Sequence, residues 1–248
     1  MKQVLIVGSG NAFSSDGRAQ TCFLLEAGHD RIVVDCGATS LMQMQRLQVD
    51  VAKIDRLIVT HFHGDHIGGI PFLLLHFEFI VRRTAPFEIL GPVGVQQKIN
   101  DLLNCVYPGT ELSYQLKFTE LTEGKKITTG SFEIEALAMS HQPESLGYRI
   151  TDGIHFFAFS GDTRWCNNIE RLYDGVDVGI LELSLIRQPP GGTSHIAADE
   201  VIANRSLLKA KQLYFNHIYN DAASAVDEYQ SVHGHIGTPL NDGMVIRF

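Results

Sequence analysis

The 248-residue chain is 44% hydrophobic and 19% charged, with 20 basic and 28 acidic side chains and a formal net charge of −8. That composition suits a soluble globular protein large enough to bury a core without staples. The acidic balance counts against a protein whose main task is to grip a nucleic-acid backbone. Cys22, Cys36, Cys105 and Cys166 form no Cys-x-x-Cys pair, so neither a disulfide scaffold nor a thiolate zinc site is expected, and a reduced, cytoplasmic setting is. The four apolar residues after Met1-Lys2-Gln3 are too few for a signal-peptide core. The apolar stretch 70–81, interrupted by His76 and Glu78, is too short to span a bilayer, so no membrane partner is expected.

A first strand at 4–7 runs into Gly8-Ser9-Gly10. A dinucleotide-binding turn would need a third glycine where Phe13 stands and a helix where residues 14–17 read as loop, so this is a turn. Strands follow at 21–26 and 32–35, a helix at 39–48, a strand at 57–60, a helix at 66–82, a strand at 87–90 and a helix at 93–106. In the second half strands are expected at 131–138, 147–150, 155–160 and 178–183. A helix at 196–209 capped by Thr193 or Ser194, a strand at 212–216, a helix at 222–232 capped by Asp221 and a last strand at 244–248 complete the chain. With no repeat and no linker, two packed sheets covered by helices absorb residues 1–248 as one α/β domain.

Chemistry concentrates in Thr60-His61-Phe62-His63-Gly64-Asp65-His66, directly after a strand. Imidazole and carboxylate are the ligands that hold borderline divalent metals. His61 and His63 point one way from an extended chain, while Asp65 and His66 sit on the following turn at a helix start and reach a second point nearby. Four residues shared between two metals leave each site incomplete, and the chain supplies His141, Asp162 and His217, each just after a strand. A strand end is a rigid support at one edge of a sheet, as a preorganised site requires. The pair His233 and His235 has no partner at strand spacing and reads as a surface loop.

The order His61-x-His63-x-Asp65-His66, then His141, Asp162 and His217, resembles the metallo-β-lactamase fold superfamily over nearly the whole chain. The resemblance implies a four-layer αβ/βα sandwich with two divalent metal ions at one edge between its sheets. By it, His61, His63 and His141 hold the first metal, Asp65, His66 and His217 the second, and Asp162 bridges them. Zinc is the default metal, and manganese or iron fits nearly the same ligands. His63 stands where the oxygen-reducing diiron branch has glutamate, which favours hydrolysis. Ser140-His141-Gln142-Pro143 and Ser160-Gly161-Asp162-Thr163 are similar to the ribonuclease Z and phosphodiesterase branch.

Ser194-His195-Ile196-Ala197-Ala198 matches a further motif of that branch, which makes His195 the proton donor to the leaving group and Glu182 its orienting partner. Transfer-RNA-processing members carry a long arm between the third-motif histidine and the bridging aspartate. Here 21 positions separate His141 from Asp162, which leaves no room for that arm, so transfer RNA is not the expected substrate. The resemblance implies a metal-dependent hydrolase, foremost a phosphodiesterase, whose metal-bridging hydroxide attacks a small phosphodiester or short RNA. A sulfate-ester, lactone or thioester hydrolase of the same fold and a non-catalytic metal-containing accessory protein are the alternatives. Two dications, two aspartates and one hydroxide sum to about +1, attractive to a small anionic ester. Asp65 is expected to orient the nucleophile, and Arg149, Arg164 and Arg187 are candidate substrate contacts. Loops 11–19, 104–115 and 184–194 are expected to wall the pocket, and the apolar 66–82 helix is a candidate homodimer face.

Overall fold

In this computed structural model residues 1–248 are described, apart from the side chains of Asn220 and His233. Period-two apolar patterns build two seven-stranded sheets. The first has the order β14-β1-β2-β3-β4-β5-β6. Its strands are β1 (Gln3–Gly8), β2 (Cys22–Ala27), β3 (Asp30–Val34), β4 (Arg56–Ile58), β5 (Phe87–Pro92), β6 (Leu116–Leu121) and β14 (Val245–Arg247). The second has the order β13-β12-β11-β10-β9-β8-β7. It contains β7 (Lys126–Thr129), β8 (Phe132–Ala138), β9 (Leu146–Thr151), β10 (Phe156–Phe159), β11 (Val178–Glu182), β12 (Gln212–Asn216) and β13 (Thr238–Pro239).

Alternate side chains of each strand face opposite layers. Val4, Ile6, Phe23, Leu25, Ile32 and Val34 meet Ile134, Tyr148, Phe157 and Phe159 in the core between the sheets. Phe23 and Phe159 pack edge to face with centroids 4.9 Å apart, and truncating either to alanine costs about 3–5 kcal/mol. The intervening residues, such as Leu24, Val33 and Leu57, face α1 (Ser40–Arg46), α2 (Gly64–Ile67), α3 (Ile70–Leu75) and α4 (Val95–Val106). Ala158, Leu181, Leu213 and Phe215 face α5 (Asn168–Tyr173), α6 (Ala198–Ala203) and α7 (Asn220–His233). The fold is the expected four-layer αβ/βα sandwich. Among the described residues no helix is long and apolar enough to cross a membrane.

Beyond these cores, Arg56 ties the sheets together. Its Nε donates to Thr129 Oγ1 at 2.7 Å across the layers and its guanidinium donates to Asp30 Oδ1 at 2.9 Å. Thr129 in turn donates to Glu88 Oε2 at 2.6 Å.

Several elements depart from expectation. The helix expected over 66–82 is three pieces: α2, α3 and a π-helical turn at His76–Val81. Pro71 stands at the start of α3, where its missing N–H prevents α2 from running on. This segment leaves Phe72, Phe79 and Ile80 exposed. α6 begins after Ala197, whose N–H donates to Glu200 Oε2 at 3.0 Å. Neither Thr193 nor Ser194 caps it, because the Thr193 hydroxyl is engaged with the backbone of His195. Asp221 lies inside the first turn of α7 rather than at its cap, which is Tyr219. The short strands β6, β7 and β13 and the six-residue α5 had no counterpart in the pattern.

The carboxyl ends of β3, β4, β8, β10, β11 and β12 carry the loops of interest. β3 and β4 are parallel neighbours, as are β10, β11 and β12, so these ends gather at one edge of the sandwich. Crevices outside strand carboxyl ends are where open α/β sheets bind ligands.

Candidate metal centre

After β4 the chain extends through His61 and His63 and turns into α2, which presents Asp65 and His66. A glycine contact sets the position of this loop. A Cβ on Gly37 would lie 2.3 Å from the Asp65 carbonyl oxygen, and one on Gly69 2.1 Å from the Gly37 oxygen. The loop after β3 therefore presses onto the histidine-rich turn, and the Cys36 N–H donates to the His66 carbonyl at 2.7 Å. Asp35 and His217 take positive φ angles of 56° and 61°, strained for non-glycine residues and characteristic of functional sites.

The seven expected ligands come together in two overlapping groups. One holds His61, His63, His141 and Asp162, and the other Asp65, His66, Asp162 and His217; within each, the candidate ligand atoms lie within 4.8 Å of one another. His63 Nδ1 is 3.0 Å from His141 Nε2. His217 Nε2 is 3.2 Å from Asp65 Oδ2 and 3.3 Å from Asp162 Oδ2. Asp162, common to both, is fully buried yet its Oδ1 has no hydrogen-bond partner, nor do His61 Nε2 and His66 Nε2. Orphaned buried atoms of this kind are costly unless something else satisfies them. No lysine or arginine lines the cavity they surround among the described residues. The donor set therefore fits two divalent cations with nitrogen and oxygen ligands.

Hydrogen-bond accounting assigns the imidazole tautomers. His141 Nδ1 faces the Ser194 carbonyl at 3.1 Å, which can only accept, so Nε2 carries the lone pair. His66 Nδ1 donates to Asp35 Oδ2 at 2.7 Å. The Thr60 hydroxyl donates its one proton to Asp35 Oδ2 at 2.8 Å, so at 3.1 Å it accepts from His61 Nδ1. On the other side, Ser184 donates to Glu182 Oε2 and accepts from His217 Nδ1, both at 2.9 Å. Two buried carboxylates, Asp35 and Glu182, thus each orient one histidine directly and another through a hydroxyl, and leave Nε2 of His61, His66 and His217 free to ligate.

His195 lies against this centre. Its Nδ1 is 3.0 Å from Glu182 Oε1 and 4.0 Å from Asp162 Oδ2, and its ring stacks on that of His217 with centroids 5.3 Å apart. Burial pulls its proton affinity down, but the Glu182 hydrogen bond and charge, with Asp162 and Asp65, raise the pKa to about 9. Burial likewise opposes charge on Asp162, yet His217, His66 and His61 hold its carboxyl well below the usual range. Burial and the neighbouring His66 push His61 down, toward the neutral, ligating form. Asp65, also against burial, is held low by His217 and His66.

The cavity over these groups has a volume of about 220 Å³, with Phe13 and Thr193 among its walls. Loops 11–19 and 184–194 thus wall the site as expected. Loop 104–115 does not: it packs on the far helices, where the Tyr114 hydroxyl donates to the Leu74 carbonyl at 3.0 Å. Arg149 is also turned away, because its guanidinium caps the carbonyls of Arg171, Leu172 and Asp174. Arg164 is exposed and lines none of the cavity. His235 is exposed, and the side chain of His233 lies outside the described residues. Asp35, Thr60, Ser184 and Tyr219 are site residues that the sequence pattern did not single out. The one signal for Asp35 was its position at the end of a strand beside a glycine loop.

Between β9 and β10 stands a tight turn in which Asp152 Oδ1 accepts from the N–H groups of Ile154 and His155, in place of an arm. The chain is 30% identical over 181 residues to ribonuclease Z of Listeria monocytogenes, covering 71% of this chain and 56% of that protein. It thus spans little more than half the length of that relative. The metallo-β-lactamase fold protein YhfI of Bacillus subtilis superposes with a TM-score of 0.82 at 22% identity, covering 99% of both chains. Short-form human tRNase Z superposes at 0.79 and 22% identity, covering 98% of both. The sandwich is therefore the metallo-β-lactamase fold. A family model described as anti-Pycsar protein Apyc1 matches residues 2–237, nearly the full sequence, and the chain belongs to that family.

Proposed function

We propose that the chain is a metal-dependent phosphodiesterase with a dinuclear centre, acting on a small phosphodiester such as a cyclic nucleotide. The observation that carries this reading is Asp162, shared by two ligand groups, with the Glu182–His195 pair set beside it. His61, His63, His141 and Asp162 would hold one ion, and Asp65, His66, Asp162 and His217 the other. Such a pair of dications, zinc being the default, supplies an activated water and stabilises charge on a phosphoryl oxygen.

The chain's own residues do the rest. The Asp65 carboxylate, held charged by its histidine neighbours, accepts a hydrogen bond from the attacking water and orients it. Glu182 holds His195 Nδ1, so Nε2 is the nitrogen that hands a proton to the leaving oxygen. The small cavity and the tight turn in place of an arm favour a small ester over transfer RNA. The similarity to ribonuclease Z supports short RNA as the second reading.

The test is zinc-loaded turnover of bis(p-nitrophenyl) phosphate, with p-nitrophenyl sulfate alongside and Asp162→Ala as control. Phosphodiester turnover lost in the variant is the expected result. No phosphodiester turnover with both ions bound overturns the reading and moves the search to sulfate esters, lactones and thioesters.

A further inference from the structure

Gly8-Ser9-Gly10, the turn that ends β1, opens the loop that carries Phe13 over the candidate metal cavity. A Cβ on Gly8 would collide with the Gln20 carbonyl oxygen, so glycine here lets the two arms of the loop close on each other, and the Gly10 N–H donates to the Ala19 carbonyl at 2.7 Å. The tip is tied within itself. Buried Asn11 accepts through Oδ1 from the N–H groups of Phe13 at 3.1 Å and Ser15 at 3.3 Å, and from the Ser15 hydroxyl at 3.1 Å. Gln20 Nε2 donates to the Ala12 carbonyl at 3.0 Å. Phe13 itself is 78% exposed, so its own packing does little to fix it. The tip behaves as one piece, and the place of Phe13 is decided where the loop is anchored.

A carboxylate from the other end of the chain bridges both ends of the loop. Asp242, in the turn before β14, accepts through Oδ1 from the Ser9 N–H at 2.9 Å and the Ser9 hydroxyl at 2.8 Å, and through Oδ2 from the Ala19 N–H at 2.7 Å. Hydrogen bonds to an ionised acceptor are roughly twice as strong as neutral ones. Ser9 is fully buried, and its carbonyl accepts from the His217 N–H at 3.3 Å, so the anchored base abuts the strand end that presents a candidate ligand. The turn that bears Asp242 does not depend on its side chain. The Gly243 N–H donates to the Ile6 carbonyl at 2.7 Å, and the Ile6 N–H to the Met244 carbonyl at 2.9 Å.

We propose that Asp242 is a positioning residue for the site: by clamping Ser9 to Ala19 it holds the Phe13 wall over the cavity, and substrate binding depends on that clamp. The inference rests on the phosphodiesterase reading for what the wall encloses. Without the carboxylate the loop swings away from the cavity as a unit, still tied within itself through Asn11. Apparent affinity falls in proportion to the fraction of molecules that keep the competent arrangement, so a wall in place in about a tenth of them raises KM about tenfold. The chemical step, which uses other groups, changes less.

The Arg18–Ala19 peptide bond reads the clamp without turnover, because its N–H is one of the three donors to Asp242. In the wild type Ala19 is buried and the Arg18 guanidinium donates to the Ile218 carbonyl at 3.2 Å, so limited trypsin digestion should spare this bond. Cleavage tracks the population of the opened loop, and Asp242→Ala should be cut after Arg18 at least about tenfold faster, giving fragments identified by mass. At saturating zinc the same variant should show the rise in KM for bis(p-nitrophenyl) phosphate with kcat changed less. Asp242→Asn still accepts from Ser9 but not from Ala19, and should fall between wild type and Asp242→Ala in both readouts. Ser9→Ala, which removes one of the three bonds, should shift both in the same direction by less, and it decides the matter should Asp242→Ala fail to fold. Unchanged cleavage and unchanged KM, with a lower melting temperature as the variant's sole defect, overturn the proposal. Faster cleavage with an unchanged KM overturns it too, since the wall would then play no part in binding. If neither form turns over any ester but Asp242→Ala alone is cut after Arg18, the clamp stands and the hydrolase reading falls.

Discussion

His195 Nδ1 and Glu182 Oε1 stand 3.0 Å apart, and Glu182 is fully buried. A buried carboxylate at that distance keeps the imidazole protonated and fixes which nitrogen can give the proton away. Replacing His195 by alanine should therefore cut hydrolysis by about 10²–10⁴ while metal content, read by atomic absorption, stays at wild-type level. Equal loss of both quantities would remove the proton-donor role.

Glu182 sets the pH dependence of the same step. The protonated imidazole is the working form, so activity falls as pH rises through its pKa. Glu182 raises that pKa, against burial. Glu182→Gln should therefore move the basic limb of the kcat profile to lower pH, because the cation loses its charged partner. A basic limb that does not move would detach Glu182 from the titration.

Ser184 carries a different signature. Its hydroxyl relays Glu182 to His217 Nδ1, so Ser184→Ala leaves the ligand's tautomer unsupported. Loss of such an outer partner typically weakens metal binding about 10–100-fold. Competition with a zinc chelator should show this for one of the two ions, and Ser184→Thr should restore it. Unaltered affinity for both ions would make the relay merely structural.

Removing the ions should destabilise the fold. Asp65 and Asp162 share one buried group with His66 and His217, so without a cation two carboxylates crowd the same small site. Ligand binding to the native state alone adds about 2.7 kcal/mol at 100 times the dissociation constant. A thermal melt in chelator should lie well below one in zinc, and titrating zinc back should raise the midpoint with concentration. Identical melts would show that the centre contributes nothing to the fold.

Arg56 offers the converse case, stability without chemistry. Its hydrogen bond to Thr129 joins the two sheets away from the candidate metal edge, its charged bond to Asp30 ties β4 to β3 within one sheet, and Arg56→Ala should cost about 1–3 kcal/mol. Asp30 is partly buried, which raises its pKa, but Ser131 and Arg56 pull it below the usual value. A carboxylate depressed in the folded state stabilises above its unfolded pKa, and that contribution disappears as pH falls through the folded pKa. Urea midpoints of wild type and variant should therefore converge under acid conditions, with turnover at neutral pH unchanged.

The clustering of the candidate ligands was legible because metal chemistry demands rare residue types at fixed spacing. His61, His63, Asp65 and His66 are contiguous, and His141, Asp162 and His217 each follow a strand that ends at the same edge. Their supporting groups were not legible, since Asp35, Thr60 and Ser184 are common residues whose roles depend on hydrogen bonds between distant segments. Arg149 looked like a substrate contact from its position in the motif, yet its side chain serves the end of α5. The 66–82 segment shows the limit of hydrophobic periodicity: its apolar pattern is continuous, but Pro71 and the close packing of Gly69 on Gly37 divide it. Loop 104–115 failed as a pocket wall because sequence neighbourhood says little about which end of a sheet a connection covers.

That Asp162 belongs to both ligand groups has a thermodynamic result for loading. On the dinuclear reading proposed above, whichever ion enters first would take up part of the charge on that carboxylate, so the second ion would meet a changed site. The two dissociation constants are then linked, and each ion alters the other's affinity by the same factor. A zinc titration of this chain should accordingly be described by one coupling constant together with two intrinsic affinities, and that coupling should disappear when Asp162 is replaced.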